Sequence, residues 1–212
     1  MKLIDSLTER TTAATDVILS AAAAGAVIYL QLLARGVSWR ISLWSWSFGL
    51  IALSAACGAA YHGLALPAAT RKVLWQAVTA GLGMAISLFL IAVVHDAAGS
   101  DAAGRAFPIL LAGGLLIFGV SRMVPGLFIV FILYEALALL IAFSAYLWLA
   151  ATGTLPGAGW MTAGAAVSLI AAAIQPVERL RVACVWEFDR NGIFHLVQVI
   201  GLGLFCVGLS RA

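Results

Sequence analysis

Two histidines far apart in the sequence, His62 and His195, are the side chains best suited to chemistry in this chain. Neutral imidazole is a favoured zinc ligand, and a water on an open zinc position supplies a hydrolytic nucleophile near neutral pH. Asn191 precedes His195 by one helical turn, which puts both on one face, and Gln198 continues that stripe. Glu187 extends it if the helix begins early. Ser54, Gly58 and His62 form a second stripe at four-residue spacing, and Gln76, Thr79, Gly83 and Ser87 a third. If the three stripes converge, His62, His195 and Asn191 are the metal ligands, with Gln76 and Gln198 supporting them. Ser54 and Glu135, next to Tyr134, are the candidates to assist a bound water, Glu135 as ligand, general base or proton relay. The plainer reading of the same residues needs no cofactor. Polar side chains glue helices together by hydrogen bonds while small residues let backbones approach, and Glu135 is a neutral acid bonded to a neighbouring helix. Zinc and no cofactor both stay open.

The elements that carry these residues are membrane spans. Hydrophobic residues make up 64% of the 212 positions and charged residues 10%, with mean hydropathy +1.08. That is far from the soluble balance of about half apolar and a quarter charged. A span needs about 20 apolar residues, so this length is consumed by spans and short connections, leaving a single transmembrane domain over residues 1–212. Backbone groups cannot stay unpaired in hydrocarbon, and the segments are too long and too uniformly apolar for barrel strands, so the fold class expected is an all-α seven-transmembrane bundle. The spans expected are Val17 to Leu33, Leu43 to Leu66, Val73 to Val94, Phe107 to Val120, Pro125 to Ala150, Ala158 to Ile174 and Gly192 to Leu209. The fourth, short and glycine-rich, is the one whose loss would invert everything after it.

Seven spans place the N-terminus and the second, fourth and sixth connections on one side, with Lys2, Arg10, Arg71, Lys72, Arg122, Arg179, Arg181 and Arg190. The other side holds Arg35, Arg40, Arg105 and Arg211. The excess of basic residues puts the N-terminus in the cytoplasm and the C-terminus outside. An even number of spans separates His62 from His195, so both imidazoles are expected at the same, cytoplasmic, face. The polar start up to Asp16 lacks the pattern of a cleaved signal peptide, so the first span is expected to stay. Spans rich in Ala and Gly suit a bacterial inner membrane.

Several features carry less. His95 and Asp96 fall on the opposite face and read as part of a solvated loop with Asp101 and Arg105. Trp44, Trp46 and Trp160 read as interfacial anchors. Cys57, Cys184 and Cys206 show no metal or disulfide spacing, and scattered basic residues make no nucleic-acid patch, so the expected partners are membrane lipids and a lipid-like ligand or substrate. A Schiff-base pigment is excluded by the lack of a lysine inside any span. A proton-linked transporter using Glu135 is a further alternative, without the internal repeat that usually accompanies transport.

The segments Gly58-Ala-Ala-Tyr-His62 and Asn191-Gly-Ile-Phe-His195, on the second and seventh of seven spans, resemble the CREST superfamily of alkaline ceramidases, progestin and adipoQ receptors and haemolysin-III-like proteins. The resemblance implies a zinc site of one second-span and two seventh-span histidines, a nearby Ser and Asp, and hydrolysis of lipid amides. In this chain Gly58 stands in the serine position, Asn191 in that of one histidine, and Gln76 where the third span would offer Asp. The resemblance thus implies a metal-dependent lipid hydrolase, and a non-catalytic lipid- or ligand-binding protein of the same fold is the alternative.

Overall fold

The computed structural model describes residues 2–33, 38–123 and 128–211. Helix α1 spans Leu7–Leu33, α2 Trp39–Gly63, α3 Ala68–Met123, α4 Phe128–Thr152, α5 Ala158–Ile174 and α6 Arg190–Leu209. Strands β1 (Arg181–Ala183) and β2 (Glu187–Asp189) form an antiparallel hairpin between α5 and α6. The fold is otherwise all-α. Among the described residues, five helices are long and apolar enough to cross a membrane, and α5 is the shorter apolar one. The expected start of the fifth span at Pro125, the end of the preceding turn at Val124 and the orienting charge Arg35 lie outside the described residues.

The packing order is circular. Helix α1 packs on α2 and α6, and α2 to α6 each pack on the next in sequence, so the two ends of the chain close the ring. Leu137, Leu140, Ile141, Leu147 and Trp148 of α4 point outward and exposed, a surface suited to hydrocarbon rather than water. Inside, Trp44, Phe48, Phe89 and Phe205 form one aromatic cluster with ring centroids 5.4 to 5.6 Å apart.

Helix α3 is not straight. Extended at about 1.5 Å per residue it would measure about 84 Å, far beyond any bilayer. It turns at Gly99, whose φ of 83° and ψ of 175° are open to glycine and strained for other residues. Two limbs result, residues 68–98 and 100–123, and they fold back on one another. A Cβ on Gly83 would stand 3.0 Å from the Gly114 carbonyl. Along a straight helix these two residues would be about 46 Å apart.

The bend overturns the reading of His95 and Asp96 as a solvated loop. Both are helical, and the Asp96 side chain is 1% exposed. Its carboxylate accepts from Arg40 Nε, from Arg40 Nη2 at 3.0 Å and from the buried Tyr146 hydroxyl at 3.0 Å, which ties α2, α3 and α4 together. Trp44 is likewise not an interfacial anchor. It is fully buried at the aromatic cluster, whereas Trp46 and Trp160 are exposed. The first helix begins ten residues earlier than Val17, because Thr12, Thr15 and Asp16 find partners inside the bundle. Glu187 belongs to β2, paired with Arg181 at 2.8 Å, and does not extend the helical stripe of Asn191 and His195.

Candidate functional site

The N-terminal half of α1 is the rail on which the site is built. Residues 2–4 clamp it to the end of α2, with the Ile4 amide donating to the Gly63 carbonyl at 3.0 Å and the Ala65 amide to the Lys2 carbonyl at 3.0 Å. Glu9, Thr12, Thr15 and Asp16 follow the three- and four-residue spacing of one helical face. That face looks towards the end of α2 and the start of α6.

Each histidine is held by this rail. Glu9 Oε2 lies 2.6 Å from His62 Nδ1. Thr15 Oγ1 donates to the Thr12 carbonyl at 2.8 Å and sits 3.1 Å from His195 Nδ1. With its one proton used on the carbonyl, the hydroxyl accepts from Nδ1–H. The other nitrogen, Nε2, faces Asp16 Oδ1 at 3.3 Å. The α6 N-terminus is fixed by Asp189, whose Oδ1 accepts both the Gly192 amide at 2.9 Å and the Thr12 hydroxyl at 2.8 Å. The hairpin delivers Asp189 there by pairing it with Arg181 across the strands.

His62, at the end of α2, and His195, in the first turns of α6, come together at one end of the bundle. Both line a partly open cavity of about 170 Å³ between α1, α2, the first limb of α3, α4 and α6. Ser54, Glu135, Asn191 and Gln198 line it too. The polar groups gather towards one end. At the rise of a regular helix, Asp16, Ser54, Glu135 and Gln198 lie roughly 12 Å along their axes from the end that carries the histidines. Deeper in, Phe48, Phe89 and Phe205 form an aromatic floor. Glu135 is thus about a third of the way along its helix.

The third polar stripe goes elsewhere. Gln76 is not a lining residue; Trp75, Val78 and Leu82 present that part of α3 to the cavity. Thr79 Oγ1 donates to its own helix at Trp75 and Gln76. Gly83 meets the second limb, and Ser87 bonds the Gly83 carbonyl and the Tyr134 hydroxyl, each at 3.0 Å. Two stripes converge on the centre, and the third closes the α3 fold and docks α4.

Asp16 is the main residue that sequence reasoning missed. Taken as the last residue of a polar leader, it is a buried wall of the cavity, with a side chain 5% exposed. Gly58 makes room for it, since a Cβ there would lie 2.9 Å from both carboxylate oxygens. The signal was present in the run Thr11-Thr-Ala-Ala-Thr-Asp16, whose polar residues recur with helical spacing. Asp16 Oδ2, Ser54 Oγ, Glu135 Oε2, Gln175 Oε1 and Gln198 Oε1 are buried without a hydrogen-bond partner among the described residues.

These residues fit a metal poorly. Asn191 is a weak donor beside histidine, and both nitrogens of His195 already face protein partners. Among the described residues no group of three or more His, Cys, Asp or Glu side chains is placed to hold a metal ion. What the arrangement can do is offer oxygen acceptors to a molecule that rests on the aromatic floor.

One family model, described as a family of unknown function (DUF6962), matches residues 11–212. No curated protein and no solved structure matches the chain.

Proposed function

The chain belongs to the DUF6962 family, whose function is unknown, and from the chemistry of its cavity we propose a seven-span membrane protein that binds a small amphiphile, or one end of a single-chain lipid, between its helices. The observation that carries this reading is the division of one cavity into a polar end at Asp16, His62 and His195 and an aromatic floor. The volume bounds the ligand. A dry cavity of about 150 Å³ accepts a benzene-sized molecule. The volume of about 170 Å³ therefore accommodates a short apolar chain.

Seven spans follow from counting α3 as two limbs and α5 as a short span. The 17 residues of α5 sit at the lower limit of about 17 for crossing the hydrocarbon core. The basic excess at the histidine end supports a cytoplasmic N-terminus and an external C-terminus. Cysteines placed singly at Ser6, Arg71 and Glu178 in a cysteine-free background should be labelled from the cytoplasm, and those at Ser100 and Thr154 from outside. Labelling of both groups from one side would refute the topology.

Binding is tested on protein in nanodiscs titrated with eight-carbon amphiphiles. A ligand that binds only the folded state raises stability by about 2.7 kcal/mol at about one hundred times its Kd. Ala55→Leu, which fills part of the cavity, should remove that gain. No stabilisation by any head group, or a gain that survives Ala55→Leu, would overturn the reading.

A second reading keeps the kinship with the CREST superfamily and with it metal-dependent hydrolysis of a lipid amide. It is favoured by two imidazoles and a buried carboxylate at one end of the bundle, with Asp16 rather than Asn191 beside His195. Elemental analysis of protein purified without chelator decides it: stoichiometric zinc would displace the first reading, and less than a tenth of an equivalent of any transition metal would remove the second.

A further inference from the structure

Building on the reading of the cavity as a ligand site, we infer that its ligand is a cationic amphiphile, an amine or ammonium group on a short apolar body. The residues lining the cavity include two carboxylates, Asp16 and Glu135, and no lysine or arginine. On each carboxylate one buried oxygen, Asp16 Oδ2 and Glu135 Oε2, has no hydrogen-bond partner among the described residues. Gln175 Oε1 and Gln198 Oε1 are in the same position. The two glutamine oxygens are acceptors, the two carboxyl oxygens are acceptors once an occupant's positive charge keeps the acids ionised, and Ser54 Oγ, also unpartnered, can serve as either donor or acceptor. The cavity therefore asks its occupant for donors.

The head groups of simple amphiphiles differ sharply on this point. A carboxylate or phosphate brings only acceptors and a charge of the same sign as the two acids. A hydroxyl donates one hydrogen bond and brings no charge. An ammonium donates three and supplies the counter-charge, which makes each bond to a carboxylate stronger than its neutral equivalent.

Position supports Asp16 as the principal contact. Its side chain is 5% exposed, and Oδ1 is already 3.3 Å from His195, so Oδ2 is the oxygen left for an occupant. Gly58, without a side chain, keeps the carboxylate close against α2. An ammonium there leaves the apolar body pointing towards Phe48, Phe89 and Phe205. Trp44 and Phe89 stack edge-on beneath it at 5.5 Å.

The test is a head-group series at fixed chain length. Octylamine, octanol and octanoate are titrated separately into the protein in nanodiscs, with binding read by equilibrium dialysis and by the rise in unfolding temperature. Octylamine is expected to bind at least tenfold more tightly than octanol, with octanoate weaker than both. Asp16→Asn should bring octylamine down to the octanol level and leave octanol unchanged. Glu135→Gln, a second variant in case Asp16→Asn does not fold, should lower octylamine affinity by a factor of at least three. Equal or tighter binding of octanol or octanoate, or octylamine affinity unchanged in the folded variants, overturns the inference and leaves the ligand cavity standing. If none of the three compounds binds wild-type protein, the cavity reading itself falls.

Discussion

Replacing Gly58 by alanine adds one methyl group at a tight contact of the site. The new Cβ would lie 2.9 Å from Asp16 Oδ1 and Oδ2 and 3.1 Å from Cγ, inside normal van der Waals separation. Asp16 cannot swing freely, because Oδ1 faces His195 and the side chain is enclosed by α2 and α6. Overpacking of this kind costs about 1–3 kcal/mol. Alanine regains about 1 kcal/mol of helix propensity over glycine, so the expected net loss is about 0–2 kcal/mol. Gly113→Ala supplies the reference, since a Cβ there meets nothing within 4 Å and only the propensity gain remains. The difference between the two variants should thus be about 1–3 kcal/mol. Denaturant titration in mixed micelles reads both stabilities, and the same measurement in an Asp16→Ala background isolates the contact. There, Gly58→Ala should behave like Gly113→Ala, giving a coupling of about 1–3 kcal/mol between positions 16 and 58. Additive effects, or Gly58→Ala as stable as Gly113→Ala in the wild-type background, would refute the placement of the Asp16 carboxylate against α2.

Asp96→Ala leaves the Arg40 guanidinium, 15% exposed, without its carboxylate. The loss should be about 3–5 kcal/mol, and Arg40→Leu combined with Asp96→Leu should recover most of it in the same titration. Thr15→Val is nearly isosteric but removes the acceptor of His195 Nδ1, so stability should fall by about 1–3 kcal/mol and Thr15→Ser should restore it. Gly157→Ala forces a side chain onto a φ of 81° and against the Gly208 carbonyl. A loss of about 1–2 kcal/mol is expected from the backbone alone; an unchanged midpoint would contradict the close packing of α5 on α6.

Much of the architecture was legible in the residues alone. Apolar runs interrupted by charges located α2, α5 and α6 to within a few positions, because the cost of hydrating a long apolar segment is a local property of composition. The parity of the expected spans placed His62 and His195 at one end, since successive antiparallel helices alternate direction whatever the packing. The three- and four-residue spacings within the stripes of Ser54 and His62 and of Asn191, His195 and Gln198 put each set on one shared face for the same periodic reason.

What the sequence left open depends on partners distant in the chain. Asp16 reads as polar leader until His195 and Gly58 are known to stand beside it, and Asp96 reads as loop until Arg40 and Tyr146 surround it. Whether the stripe of Gln76, Thr79, Gly83 and Ser87 faces the centre is equally undecidable from spacing. Periodicity shows which residues share a face and says nothing of which neighbour that face meets; only the fold of α3 at Gly99 turns this one towards residues 100–123 and α4. A hydropathy pattern is fixed by each segment's own transfer free energy, whereas the partner of a buried charge is fixed by which helices close the ring. The first is written locally, and the second exists only once the bundle has assembled.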